Sequence, residues 1–479
     1  MTQKQGYLPK EERKKILLMC DDIRMHSGVA NVGKDLVLQT AHRYNWVNLG
    51  AAINHPEAGK KLDISAEANK ITQIEDADIA VIPSNGYGDP MLLRQLIQLE
   101  KPDAIFLITD PRYWAWLFQI ENEIRRKIPI VYLNIWDDYP APQYNESFYE
   151  SCDALLAISK QTKNINEIVL GEKSKYKVIE YVPHGINEDI FKPALQDASF
   201  ISFRNRILGE KASQIEFILL FNSRNIRRKQ IPDTILAYKH FVDQLPEDKA
   251  KKCAFVLHTQ PIDENGTDLY ALKEYLCSDE KYNIIFSENP LAPMEMNYLY
   301  NMADATILLT SNEGWGLSLT ESLLTGTCII ANVTGGMQDQ MRFEDTKGNW
   351  IDFTPDFPSN HRGTFKKHGE WAFPVFPTNL SIQGSVPTPY IYDDRCSWED
   401  AAKQIKAVYD LPKEERVKRG MKGREWAIGD EAGFTAKKMG ERAILAMDKL
   451  FDTWTPREKY EFLKDSDYKK RVLQHKLIY

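Results

Sequence analysis

The chain has 479 residues, 43% of them hydrophobic and 27% charged; this is a globular composition, too long for one ordinary core, so two or three domains are expected. The formal net charge of −7 argues against a broad nucleic-acid-binding surface while leaving room for a local basic cleft. No apolar run reaches membrane-spanning length and the first fifteen residues lack a signal-peptide core, which predicts a cytoplasmic protein with no integral membrane association; lysines and arginines near both ends leave peripheral membrane contact open.

Residues 15–20 (KILLMC) are a compact apolar run, followed by Asp21-Asp22, the turn His26-Ser27-Gly28 and a helical pattern over 32–43. The order is strand, glycine loop, helix. Runs at 79–82, 104–108, 130–133, 154–158 and 178–181 alternate with helical segments such as 91–100, which predicts a parallel, doubly wound, Rossmann-like first domain over residues 1–193. A G-x-G-x-x-G dinucleotide fingerprint is missing after the first run. The aromatic stretch 113–118 (YWAWLF) reads as core or domain-interface packing, with a ligand platform as the alternative. Trp136-Asp137-Asp138 follows a strand and so falls at the carboxyl edge, where open α/β sheets bind ligands.

Residues 194–213 read as a linker. Alternation resumes at 217–221, 253–258, 283–286, 305–309 and 328–331, giving a second Rossmann-like domain over 214–455. Residues 344–395, rich in Pro, Gly and aromatics, read as an ordered but irregular excursion. Helical patterns follow over 398–411 and 413–450, and residues 456–479 read as a charged helical tail packing back toward the first domain. Two such domains should leave a ligand cleft between their strand ends. The six cysteines are scattered without metal-ligand spacing and read as reduced thiols.

The most informative stretch is 301–340. Strand 305–309 leads into a glycine-bearing loop, a helix over 318–325 stopped by Gly326, a second strand, and the loop Thr334-Gly335-Gly336. Bare amides at the helix start would face an anion, and Gly314, Gly316, Gly335 and Gly336 would let backbone approach a phosphate. Two carboxylates frame this place, Glu313 and Glu321. Ser318-x-x-Glu321 also has the form of a capping box, in which Glu321 only ties down its own helix. Arg224 and Lys229 follow strand 217–221; a guanidinium fork and an ammonium point charge suit a diphosphate, with a solvated basic loop as the alternative.

These pieces together resemble the retaining nucleotide-sugar glycosyltransferases of GT-B fold, of the glycosyltransferase family 4 type. The residues that carry the resemblance are Glu313-x7-Glu321 within EGWGLSLTESLLTG, Gly335-Gly336, and Arg224-x4-Lys229. Ser27-Gly28, residues 157–162 (AISKQT) and residues 182–187 (VPHGIN) support it. The resemblance implies an α/β protein of two Rossmann-like domains facing across a cleft, and a hexosyl- or pentosyltransferase. Arg224 and Lys229 would neutralise the donor diphosphate, a role metal ions play elsewhere. Glu321 would hold the ribose, and Glu313 the hydroxyls of the transferred sugar. Backbone at Gly316, Leu317 and Ser318 would meet the phosphates, with Gly28 closing from the other domain. No cofactor and no metal are implied; the donor is a nucleotide diphosphate sugar. The acceptor is a hydroxyl on a glycan, lipid, protein, small molecule or modified DNA base. Attack would be front-face, with the leaving phosphate accepting the acceptor's proton.

One departure stands out, since relatives often carry His before Asp where this chain has Trp136 before Asp137. Asp137 or Asp138 would then substitute; His184 is a further candidate, with a structural hydrogen-bonding histidine as its alternative. Two other readings stay open: the same fold acting on a hydroxylated DNA base, as in bacteriophage base glycosyltransferases, and a non-catalytic nucleotide-sugar-binding protein.

Overall fold

Short aliphatic runs covered by helices on both faces form parallel strands, because a parallel sheet has no face left for water. The computed structural model describes residues 6–459, apart from Ile53, Asp356 and Pro358. The first sheet is built from β1 (Lys14–Asp21), β2 (Tyr44–Ala51), β3 (Leu62–Asp63), β4 (Ile79–Pro83), β5 (Ala104–Ile108), β6 (Ile130–Asn134), β7 (Ala154–Ala157) and β8 (Val178–Tyr181). Their order is β3-β4-β2-β1-β5-β6-β7-β8, parallel except for β3. The second sheet comprises β9 (Phe217–Asn222), β10 (Cys253–His258), β11 (Asn283–Ser287), β12 (Ala305–Leu308), β13 (Cys328–Asn332) and β14 (Ala372–Val375). Its order is β11-β10-β9-β12-β13-β14. The expected α/β class with two doubly wound, Rossmann-like domains is what is found. Strand order reverses between β1 and β5 and between β9 and β12, and such switch points are where these sheets take ligands.

Three segments differ from the sequence reading. The linker 194–213 contains a helix, Ala198–Leu208, whose Phe200, Phe203 and Leu208 are buried against Ile218, Leu220 and Tyr300 of the second domain. The excursion 344–395 is only partly irregular: it supplies β14 and a hairpin of β15 (Pro377–Ser385) and β16 (Thr388–Cys396). The helical pattern 413–450 is two helices, Lys413–Ile428 and Ala436–Thr453. The second of these lies against the first domain rather than its own: it packs on the helix Gly28–Thr40 and on β7 and β8. There Asp448 accepts from Arg43 at 3.1 Å and from the Tyr44 hydroxyl at 3.1 Å.

The chain therefore crosses between domains twice, and the crossings touch. Ile186 donates to the Phe434 carbonyl at 3.0 Å and Ala436 donates to the Ile186 carbonyl at 2.9 Å. Gly185 permits this approach, since a Cβ there would stand 2.1 Å from the Thr435 carbonyl oxygen. Arg457 continues the return, bonding the Arg125 carbonyl at 2.9 Å and Glu121 at 2.8 Å. The rest of the expected helical tail, from Tyr460 on, lies outside the described residues. Among the described residues no helix is long and apolar enough to cross a membrane, and all six cysteines are free thiols.

Candidate functional site

The turn after β9 and the loop after β12 meet at the second switch point. The turn Arg227–Lys229 is held down by its Arg228 carbonyl, which accepts from the Ser311 amide at 2.8 Å and the Thr310 hydroxyl at 3.0 Å. That backbone pairing presents Arg228 and Lys229 to Glu313: the Lys229 ammonium bonds the Glu313 carboxylate directly, and Arg228 reaches the same oxygen at 3.1 Å. Arg228 also donates to the Asn312 carbonyl at 2.6 Å and lies 3.8 Å from Asp137 of the first domain. One guanidinium thus joins the strand ends of both sheets.

Burial and charge pull against each other here. Burial lowers the Lys229 pKa, opposed by Glu313. Glu313 itself is held below its usual value because the attraction of Lys229 and Arg228 outweighs its own desolvation. Asp137 and Asp138 are both raised by burial, and Asp138 further by the charge of Asp137; adjacent buried carboxyls resist carrying two charges. His184 sits close enough to feel Glu313, yet burial pushes it down to about 4, so it is neutral at pH 7. Its Nδ1 has no hydrogen-bond partner among the described residues.

Of the two cations singled out from sequence, the structure brings only Lys229 into this cluster. Arg224 points outward, its side chain 64% exposed and paired with Asp263 at 2.7 Å. Arg228 takes the place expected of it. The only sequence signal was its position next to Lys229 in a run of three cations.

Glu321 is not the closing half of a capping box. Gly316, at φ +86°, precedes the helix Leu317–Thr325 with no side-chain cap, so Ser318 lies inside the helix. Glu321 instead accepts from the hydroxyl of Tyr300, which itself accepts from Asn222 at 2.7 Å. Sequence reasoning missed Tyr300. The uncapped helix start faces the first domain: a Cβ on Gly28 would stand 3.4 Å from Leu317 Cδ1. Gly28 opens a helix whose N-cap, Ser27, bonds Asp21 at 2.7 Å.

Gly335 and Gly336 act differently from the expectation. A Cβ at Gly335 would fall 2.1 Å from the Glu313 carbonyl oxygen, and one at Gly336 only 1.9 Å from that of Gly314. The Gly336 amide donates to Glu313 O at 2.9 Å and that of Gly335 to Ser359 O at 3.3 Å. Their amides are engaged within the protein. Their smallness lets two loops pack backbone to backbone and so fixes Glu313.

The first domain's edge is lined by Asp21, Asp110, Arg112, Tyr113 and Asp137-Asp138. Trp136 does not face the cleft: its ring is in the first core, its Nε1 donates to the Asp138 carbonyl at 2.9 Å, and Arg112 lies 5.9 Å above it. The hairpin closes one side. Tyr392 donates to the Tyr139 carbonyl at 2.6 Å, Tyr144 to the Tyr390 carbonyl at 3.0 Å, and Arg112 to the Thr388 hydroxyl. On the other domain, Asp393 accepts from Asn312 at 2.9 Å and Asp394 from Thr334 at 2.8 Å. Among the described residues no group of three or more His, Cys, Asp or Glu is placed to hold a metal ion.

Comparison with known proteins bears on the fold. Residues 210–356 match the family model described as glycosyl transferases group 1. An uncharacterized glycosyltransferase of Methanocaldococcus jannaschii is 23% identical over 275 residues, which cover 56% of this chain and 62% of that protein. Anabaena HepE, solved with UDP and glucose, superposes with a TM-score of 0.61 at 12% identity, over 91% of this chain and 100% of HepE. Sucrose-phosphate synthase from Thermosynechococcus elongatus gives 0.62 at 14% identity, over 92% of this chain and 100% of that one. The architecture is the GT-B fold.

Proposed function

We propose that the protein is a retaining, metal-independent glycosyltransferase that moves a sugar from a nucleoside diphosphate donor to a hydroxyl acceptor. The observation that carries this reading is the Arg228–Lys229–Glu313 cluster, set at the switch point of one domain and linked by Arg228 to Asp137 of the other. A group 1 match over the second domain and fold neighbours solved with UDP and with UDP-glucose support it.

A donor diphosphate lies between the uncapped start of the helix Leu317–Thr325 and the two cations, whose charge stabilises the departing nucleotide without a metal. Arg224, on a long exposed arm, adds a third cation by leaving Asp263. Displaced from Lys229 by the phosphates, Glu313 turns to the hydroxyls of the transferred sugar, while Glu321 and Tyr300 hold the ribose. Glu313 is thereby committed to the sugar hydroxyls, and the reaction needs no nucleophilic carboxylate. The acceptor oxygen bonds to the anomeric carbon on the face the phosphate leaves. The carbon–phosphate oxygen bond breaks, the acceptor proton passes to that phosphate, and a glycoside and a nucleoside diphosphate result. Orientation and exclusion of water are the protein's contribution.

Thermal-shift measurements with UDP, GDP, ADP, CDP and dTDP, each with and without EDTA, test the donor site, since a ligand of the folded state raises its melting temperature. One nucleotide should shift the protein equally in both conditions. A shift abolished by EDTA refutes metal independence, and no shift with the nucleotides or their intact sugar conjugates refutes the reading. Proton NMR of the product tests retention, which an inverted anomeric coupling would overturn.

A further inference from the structure

The aromatic stretch after β5 divides in two. Trp114 and Leu117 are fully buried, but Tyr113 is 51% exposed. It stacks on Tyr87 with ring centroids 4.3 Å apart and planes 30° apart. Tyr87 is held by its hydroxyl, which donates to Asp21 at 2.8 Å, and by the edge of Trp114 at 5.3 Å. The loop that presents Tyr113 is equally fixed. Thr109 adopts φ +96°, a costly conformation for a β-branched residue, and its carbonyl accepts from Tyr132 at 2.9 Å. Asp110 binds Arg112 at 2.7 Å. Strain of this kind persists only where the surroundings enforce it.

The result is a rigid, half-open aromatic face at the first domain's switch point, five residues past the end of β5 and tied to the end of β1 through Tyr87 and Asp21. Carboxylic residues adjoin it: Asp21 accepts from the Tyr87 hydroxyl and the Asp110 carbonyl accepts from the Tyr113 amide at 3.1 Å, while Asp137 and Asp138 follow β6, the strand paired with β5. Of the cations near it, Arg112 is already paired with Asp110, and Arg228 belongs to the donor diphosphate on the glycosyltransferase reading. A polyanion would meet like charge at this edge. A neutral ring with an apolar face and a rim of hydroxyls would meet stacking area and hydrogen-bond acceptors.

We propose that Tyr113, backed by Tyr87, is a stacking platform for a pyranose ring, and that the acceptor is a neutral saccharide or glycoside. This rests on the glycosyltransferase reading for its reaction but not for its binding site. Tyr113 packs against the C–H face of the ring, and the carboxylates at the ends of β1 and β6 accept from its hydroxyls. The hairpin, bonded to Arg112 through Thr388, closes the neighbouring side.

Saturation-transfer NMR with UDP present tests this directly, using methyl glucosides, galactosides and mannosides, maltose and cellobiose. An oligonucleotide bearing 5-hydroxymethylcytosine and vesicles containing diacylglycerol form the competing arms. At least one saccharide should receive saturation on its ring protons, and Tyr113→Ala should weaken its binding roughly 3- to 10-fold while Tyr113→Phe restores it. Melting curves of the unliganded variants confirm that each is folded. Binding only of the oligonucleotide or the vesicles, no saccharide binding, or saccharide binding indifferent to Tyr113→Ala would overturn the proposal. Saccharide binding without any nucleotide shift would keep the platform and refute the donor site instead.

Discussion

Replacing Glu321 with Gln is expected to make the protein more stable above pH 7 and less able to hold a nucleotide. Burial pushes the Glu321 carboxyl from 4.5 up to about 7, with the Tyr300 hydroxyl pulling the other way. Between those two values the folded protein keeps a proton that the unfolded chain has released, so stability falls as pH rises through the window. The full penalty is felt above pH 7; at 1.36 kcal/mol per pH unit its upper limit is about 3 kcal/mol. Glu321 is only partly buried, and solvent lowers that cost to about 1–3 kcal/mol. A glutamine oxygen still accepts from Tyr300 but carries no charge. Melting temperatures of both proteins should nearly coincide at pH 5, and at pH 8 the variant should melt higher by roughly 2–6 °C. Its nucleotide affinity should fall about tenfold or more, since a charge-assisted contact to the ribose is lost. A variant that melts no higher than the parent at pH 8 would refute the account of a desolvated carboxylate.

Lys229→Ala should lower kcat/KM by about 10²–10³, the usual effect of deleting a charge that stabilises a departing group, measured as nucleotide release from the donor identified by thermal shift. Arg224→Ala and Arg228→Ala should separate cleanly in melting experiments. The first removes an exposed ion pair and changes stability by less than about 0.5 kcal/mol. The second leaves Asp137 and part of Glu313 uncompensated, at a cost of about 2–4 kcal/mol. Asp394→Ala deprives Thr334 and Ser359 of their buried acceptor, a loss of about 1–3 kcal/mol, and tryptic cleavage after Arg395 should then be faster than in the parent.

Much of the architecture was legible because it is written locally. Strands covered on both faces show as unbroken aliphatic runs, and Gly326 marks a helix end by sitting at φ +79°. The positions of Glu313 and Lys229 followed from their places just beyond strand ends. Other features depend on partners distant in sequence. Whether Arg224 or Arg228 enters the cluster is decided by the turn Arg227–Lys229 and by its bonds to Ser311 and Thr310, which no local pattern reveals. The hairpin escaped notice because β15 is almost wholly exposed, so it lacks the apolar alternation that betrays a half-buried strand. Ser318-x-x-Glu321 has the form of a cap, yet Gly316 starts the helix two residues earlier than that form requires. The packing stripe of Ala436–Thr453 was visible as helical, but nothing in it says which domain it covers.

That last helix bears on how the chain comes into being. A nascent polypeptide that has emerged as far as residue 193 contains every strand of the first sheet but lacks the surface formed by Met439, Ala443, Met447 and Leu450, which are buried against it in the finished protein. The domain begun first is completed last, after the whole second domain has been synthesised, and its apolar flank stays open to the cell throughout that interval. A gene fragment ending at the first crossing would yield the same unfinished object. A stand-alone first domain has to be spliced from two separate stretches, with Ala436–Thr453 rejoined to the strands it covers.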